Sequence, residues 1–261
     1  MRDYLTSRTL LLVLDNAEHL ARRLPQEETP AFAGMVAGLL EAAPGLKVLV
    51  TSRVALNVLG ERLYLVQELA YPRESDFQPA ALQQLPSVQL FVQAAQARRP
   101  TFALTSKNAL SVGAICRHLE GVPLAFLLCA AWIDTMSAAD IAAELARGGN
   151  ELLTADWANL PPQQRSMQAV FDRSWHLLTE REQAIFAALS VFRSPFTQVA
   201  AREVAGATPR DLRALVGASL LQREPTGRYT MHRLLQEYAA VCLERDPDAA
   251  RAARDRHGTY F

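Results

Sequence analysis

Cysteine is scarce in this chain: Cys116, Cys129 and Cys242 are the three among 261 residues, and no two stand in C-x-x-C spacing. So small and odd a set of thiols argues against a disulfide framework or a structural zinc site, and it fits a reducing, cytoplasmic setting. Lysine is scarcer still. Lys47 and Lys107 are the two, so 25 of the 27 basic residues are arginine. Excess charge of one sign is also missing, because 27 acidic residues balance the 27 basic ones. A protein whose main task is to coat nucleic acid carries net cationic charge, so DNA is disfavoured as a partner, although a local basic face is compatible with neutrality. Long apolar runs are absent. The densest, at 10–14 and 122–133, fall short of the roughly 18–20 residues of a membrane helix, so no membrane association is expected. The first residues carry Asp3 and lead into a strand-like run, with no cleavable signal pattern.

What is present is helix-forming and core-forming. There are 43 alanines, half of the residues are apolar and 21% are charged, which excludes wholesale disorder. Residues 9–14, Thr-Leu-Leu-Leu-Val-Leu, form a continuous apolar run that suits a strand buried on both faces of a parallel sheet. Phe32, Met35, Val36, Leu39 and Leu40 recur at helical spacing, and Pro44-Gly45 stops that helix. A second buried run, 46–50, and a better-alternating third, 62–66, complete a βαβ pattern and hence a parallel sheet. Residues 71–86, with Pro72, Pro79 and Pro86, read as a linker. Helical patterns then dominate. Ser87 opens one helix, Thr105 is the expected cap of the next, and Gly121-Val122-Pro123 separates it from a third over 124–133. Ser137 and Asp140 can cap a short helix, and Pro161-Pro162 marks a boundary. Thr179-Glu-Arg-Glu182 is a capping box, and Thr197 and Pro209 start two further helices. Short strands at 220–223 and 228–231 flank a Pro225-Thr226-Gly227 turn ahead of a closing helix. Three helices followed by a two-stranded hairpin is the winged-helix order.

Two places carry candidate chemistry. Asp15 ends the first buried strand, the edge where open α/β sheets bind ligands, and a carboxylate there can hold Mg²⁺ beside nucleotide phosphates. Glu18 could polarise an attacking water. Asp15 and Asn16 are equally suited to capping the segment that follows. Arg53 ends the neighbouring strand, where a guanidinium can reach a terminal phosphate with Thr51 and Ser52 as hydrogen-bonding neighbours; an ordinary surface arginine is the competing reading. His19, His118, His176 and His257 lack metal-ligand spacing and read as surface or cap residues, Cys116 and Cys129 as core, and Trp132, Trp157 and Trp175 as packing residues.

An ordered set of segments resembles the STAND family of P-loop NTPases, signal-transduction ATPases that include NB-ARC proteins and bacterial regulators of the AfsR and MalT kind. Leu-Leu-Val-Leu-Asp-Asn-Ala-Glu-His (11–19) resembles their Walker B segment, and Val50-Thr-Ser-Arg53 their sensor strand. Leu119-Glu-Gly-Val-Pro-Leu-Ala125 resembles their Gly-x-Pro motif, whose proline packs near adenine. Arg173-Ser-Trp-His-Leu-Leu and 182–192 resemble the opening of their winged helix, and Tyr229-Thr-Met-His232 the segment whose histidine touches the β-phosphate of ADP. The resemblance implies ADP or ATP with Mg²⁺ as ligand. It implies Asp15 and Glu18 as catalytic residues, Asp15 also as the magnesium residue, and Asn16, Thr51, Ser52, Arg53, Pro123 and His232 at the nucleotide. It also implies the later part of an NTPase domain over 1–70, a linker over 71–86, a small helical domain over 87–160, a winged helix over 161–245 and a further helix or linker over 246–261. The family's phosphate-binding loop, Gly-x-x-x-x-Gly-Lys-Ser/Thr, has no counterpart, since none of the 12 glycines precedes a lysine. The expectation is therefore a fragment of a longer regulator or the product of a truncated gene. It would be incompetent or very slow as an ATPase, with ADP or ATP and Mg²⁺ as cofactors in the intact family and none as the alternative for this chain, and its partners would be the P-loop segment, a following sensor domain and other copies on activation. Winged-helix DNA binding and a non-catalytic interaction module are the rival readings.

Overall fold

The computed structural model describes residues 5–6, 8–20, 31–73, 78–154 and 165–261. The chain divides into two compact units, Met1–Leu65 with Pro209–Gln222, and Val66–Thr208 with Arg223–Phe261.

In the first unit, strand β1 (Leu10–Leu14) runs parallel to β2 (Leu46–Val50), in register from Leu10 opposite Leu46 to Leu14 opposite Val50. Helix α1 (Ala31–Ala42) links them and buries Phe32, Val36 and Leu39. These side chains pack with Leu10, Leu12, Leu14, Val48 and Val50, the inward half of each strand. The outward half is bare. Leu11, Val13 and Leu49 are more than half exposed, so the expected burial on both faces holds for one face alone. The strands are apolar on both sides, but among the described residues only one side is covered. The third run, 62–66, is not a strand either. It has no regular secondary structure and pairs with no described strand, and Leu63, Tyr64, Leu65 and Val66 are exposed. A strand is defined by a neighbour's backbone, and alternation alone does not supply one.

The second unit is helical: α2 (Pro79–Leu82), α3 (Pro86–Arg98), α4 (Ala109–His118), α5 (Pro123–Ala130), α6 (Ala138–Ala146), α7 (Met167–Trp175), α8 (Glu180–Leu189) and α9 (Gln198–Ala205). Next in sequence is α10 (Pro209–Gly217), which belongs to the first unit. The hairpin of β3 (Gln222–Arg223) and β4 (Tyr229–Thr230), α11 (Arg233–Glu244) and α12 (Pro247–Tyr260) complete the chain. The starts follow the sequence signals. Pro86 and Pro123 occupy first helical positions, and Ser137 with Asp140 and Thr179 with Glu182 form reciprocal capping boxes. Thr105 does not cap; α4 begins four residues later, after Asn108 folds back to accept from the Thr105 amide at 2.7 Å. Helix content also begins inside the stretch expected as linker, where Leu82 is buried. Pro161-Pro162 and Trp157 lie outside the described residues.

One core joins the helices of 82–153 and takes in Met167 and Leu234 as well, so α7 and α11 share it. Cys116 and Cys129 are fully buried there; burial pushes the Cys116 thiol up to about 12, so it stays protonated and inert. Trp132 donates to the Leu152 carbonyl at 3.1 Å, and Trp175 packs edge-on to Tyr238, whose hydroxyl donates to Asp172 at 2.7 Å. No helix among the described residues is long and apolar enough to cross a membrane.

The corner between α4 and α5 is backbone-limited. Gly121 has φ +81°, and a Cβ built there would lie 2.2 Å from the Leu69 carbonyl oxygen. The Leu69 amide in turn donates to the Gly121 carbonyl at 2.9 Å. Gly121→Ala therefore meets both left-handed strain and a backbone clash, and should cost on the order of 3 kcal/mol. Urea unfolding would show it as a lower midpoint at unchanged slope.

Candidate functional site

At the carboxyl ends of β1 and β2 the ladder continues into side chains. The Thr51 amide donates to the Leu14 carbonyl at 3.0 Å, and the Ala17 amide donates to the Thr51 carbonyl at 2.9 Å. The Asn16 amide donates to Thr51 Oγ1 at 2.8 Å, and that hydroxyl donates to Asp15 Oδ1. Asn16 reaches this position in the left-handed conformation, φ 60°, which asparagine tolerates. Asp15 and Thr51 thus form one exposed polar edge. Ser52 turns back to accept from the Val54 amide at 3.2 Å.

Glu18 and Arg53 form a second layer. Glu18 sits in the one-turn 3₁₀ helix Ala17–His19 and is only 2% exposed; its Oε1 lies 3.7 Å from Arg53 Nε. Burial of the carboxylate requires a cation, and Arg53 supplies it. The Arg53 carbonyl also accepts from the Ser219 hydroxyl at 3.3 Å. Arg53 is thus held at both ends of the residue.

The two remaining candidates are in the other unit. Pro123 is exposed at the start of α5. His232 is the N-cap of α11: its Nδ1 accepts from the Leu234 amide at 3.1 Å. A ring nitrogen that accepts carries no proton, so the neutral ring bears its hydrogen on Nε2. That nitrogen faces Glu120, 3.4 Å from the carbonyl oxygen and 3.6 Å from Oε2. Glu120 Oε2 also accepts from the Arg233 amide at 2.9 Å. Two residues before Glu120, His118 is buried rather than at the surface, its Nε2 3.5 Å from Glu237 Oε1. Arg233 Nε donates to the same Glu237 oxygen at 3.1 Å. Sequence reasoning singled out the Glu-Gly-Val-Pro segment and His232, but neither Glu237 nor the pairing of these residues, which the linear spacing of 112 does not signal.

The donor set fits part of a nucleotide-metal site. One exposed carboxylate beside a hydroxyl suits a magnesium ion carried by phosphates, and no group of three or more His, Cys, Asp or Glu among the described residues could hold a metal unaided. The phosphate cradle does not fit, because the chain has no Gly-Lys step to build one.

No family model matches the chain. It is similar to a Mycobacterium tuberculosis (strain H37Rv) protein named as an HTH-type transcriptional regulator, 33% identical over 269 residues that cover all of this chain and 28% of that protein. An uncharacterized protein of the same strain is 33% identical over 77% of this chain and 46% of its own length. The regulatory protein AfsR of Streptomyces griseus is 28% identical over 94% of this chain and 22% of its own length. The chain therefore spans between about a fifth and a half of these relatives, and two of the three are regulators by name.

Glu237 generates a pH dependence. Its burial raises the carboxyl, but hydrogen bonds and charges from His118 and Arg233 outweigh that and hold it below its ordinary 4.5. A depressed carboxyl contributes stability that is present above the unfolded value and lost as pH falls through the folded one. Acid titration below about pH 4.5 should therefore loosen α11 from α4, and Glu237→Gln should flatten that part of the stability profile. Thermal melts from pH 7 to 3 would check this; coincident profiles would contradict it.

Proposed function

We propose that this chain is the central segment of a nucleotide-responsive signal-transduction regulator of the STAND type. It comprises the later part of a P-loop NTPase domain, a small helical domain and a winged helix. The observation that carries the reading is the polar edge of Asp15, Asn16 and Thr51 across the carboxyl ends of two adjacent parallel strands. That is the position where such sheets bind phosphate and metal. The regulator names of the relatives support the signalling half of it. On this reading Asp15 orients magnesium, Arg53 exchanges Glu18 for the γ-phosphate of ATP, Pro123 borders the base and His232 donates to the β-phosphate of ADP. The bare face of Leu11, Val13 and Leu49 is where the strand and helix bearing the phosphate-binding loop would pack. Self-assembly on activation, a following sensor domain and a cytoplasmic location belong to the same proposal.

DNA binding is the second reading. Helices α9 and α10 are joined by three residues, 206–208, with Gly206 at φ +65°. Arg210, Arg213, Arg223 and Arg228 are exposed, and one relative is named for an HTH. Salt-dependent retention on duplex DNA would favour it.

Isothermal titration separates the cases. The chain alone should bind Mg·ATP or ADP weakly or not at all. Each charged hydrogen bond is worth roughly 1.5–3 kcal/mol, so losing several cradle donors costs many powers of ten in affinity. Micromolar binding by the chain alone would contradict this. Once a phosphate-binding loop is supplied, Asp15→Asn should impair magnesium-dependent hydrolysis more than ADP binding. Arg53→Ala should weaken ATP relative to ADP, whereas equal loss of both would remove its role.

A further inference from the structure

The end of α4 and the start of α11 pair imidazole with carboxylate reciprocally. His118 on α4 faces Glu237 on α11, and His232, which caps α11, faces Glu120 just past α4. Each side contributes one imidazole and one carboxylate. Arg233 ties the two rungs together, because its backbone amide donates to Glu120 Oε2 at 2.9 Å and its guanidinium donates to Glu237 Oε1 at 3.1 Å. Glu120 occupies its place at φ +45°, an unfavourable conformation for a residue with a side chain, next to Gly121 at φ +81°. Two consecutive left-handed residues turn the chain so that the Glu120 carboxylate meets the first turn of α11, where unpaired amides favour an anion.

We infer that these crossed pairs form a latch that holds α4 against α11, with Glu120 as its bolt and as the residue that keeps the His232 Nε2–H engaged. The cap bond to Leu234 fixes the ring orientation, so Nε2–H is directed at Glu120, 3.4 Å from its carbonyl oxygen and 3.6 Å from Oε2. On the nucleotide-switch reading, a phosphate at His232 competes with Glu120 for this donor. The latch is then the in-chain restraint that nucleotide exchange works against. Glu120 is a positioning residue in this scheme, because it acts through His232 and Arg233. The Tyr71 phenol is pushed up by burial first and by the Glu120 charge next, with Glu68 adding and Arg73 opposing. Glu237 is held ionised by His118 and Arg233 against the cost of its burial.

Amide hydrogen exchange on the 261-residue chain without nucleotide tests the latch. In Glu120→Ala the Arg233 amide loses its acceptor and should exchange on the order of 10-fold faster or more, while core amides of α8 keep their parent rates. Should Glu120→Ala fail to fold, Glu120→Gln keeps the shape and removes the charge, and a smaller acceleration at Arg233 is expected. Glu120→Gln and Glu237→Gln should be non-additive in thermal stability, since Arg233 joins them. Nitrogen-15 spectra of the parent at pH 8 should show His232 protonated on Nε2. Unchanged Arg233 exchange in the glutamine variant with additive stabilities would overturn the latch. Nucleotide takes no part in this measurement, so a silent ADP titration would count against the switch reading while accelerated Arg233 exchange still upheld the latch.

Discussion

Between Gly121 and the Leu69 carbonyl there is no space for a side chain, and the second unit's polar geometry follows from that contact. Gly121 takes the left-handed conformation there, which reverses the chain within three residues of the end of α4 and starts α5 at Pro123. The same reversal carries Glu120 onto the first turn of α11, and through it fixes His232 and Arg233. A motif of four residues thus does three separate jobs. Glycine supplies the conformation, proline fixes the dihedral of the new helix, and glutamate meets an amide that the helix leaves unpaired.

Charge is handled consistently across both units. Glu18 and Glu237 are carboxylates with little or limited exposure, and each lies against arginine, with histidine added at Glu237. With net charge zero the chain has as many cations as anions, and arginine, the dominant one, presents several donors in a fixed plane. Uncompensated burial of either carboxylate would be costly, so these pairs define geometry more than they add stability. At the strand ends the logic is different: Asp15 remains exposed and accepts from the Thr51 hydroxyl.

Local signals in the sequence specified local structure well. The period of Phe32, Val36 and Leu39, the capping boxes at Ser137 and Thr179, and the Pro225-Thr226-Gly227 turn each report interactions within a few residues, and each is realised. The strand run at 62–66 is not, because pairing depends on a neighbour elsewhere in the chain. The outward face of β1 reads as buried for the same reason: hydrophobicity tells what a residue would bury, not whether anything covers it. At the candidate site, Asp15, Thr51 and Arg53 were legible because strand ends carry them. The engagement of Arg53 by Glu18 and of His232 by Glu120 was not, because a side chain's partner over long separations leaves no mark in composition or period.

On the reading proposed above, nucleotide would act on the strand ends of β1 and β2 and on the His232 donor at the start of α11. Amide exchange on a version extended through a phosphate-binding loop, with and without ADP, addresses both at once. Slower exchange at Asn16 and Ala17 together with a changed rate at Arg233 is the expected result. Bound ADP that alters only the added loop, leaving all three amides at their nucleotide-free rates, would contradict it.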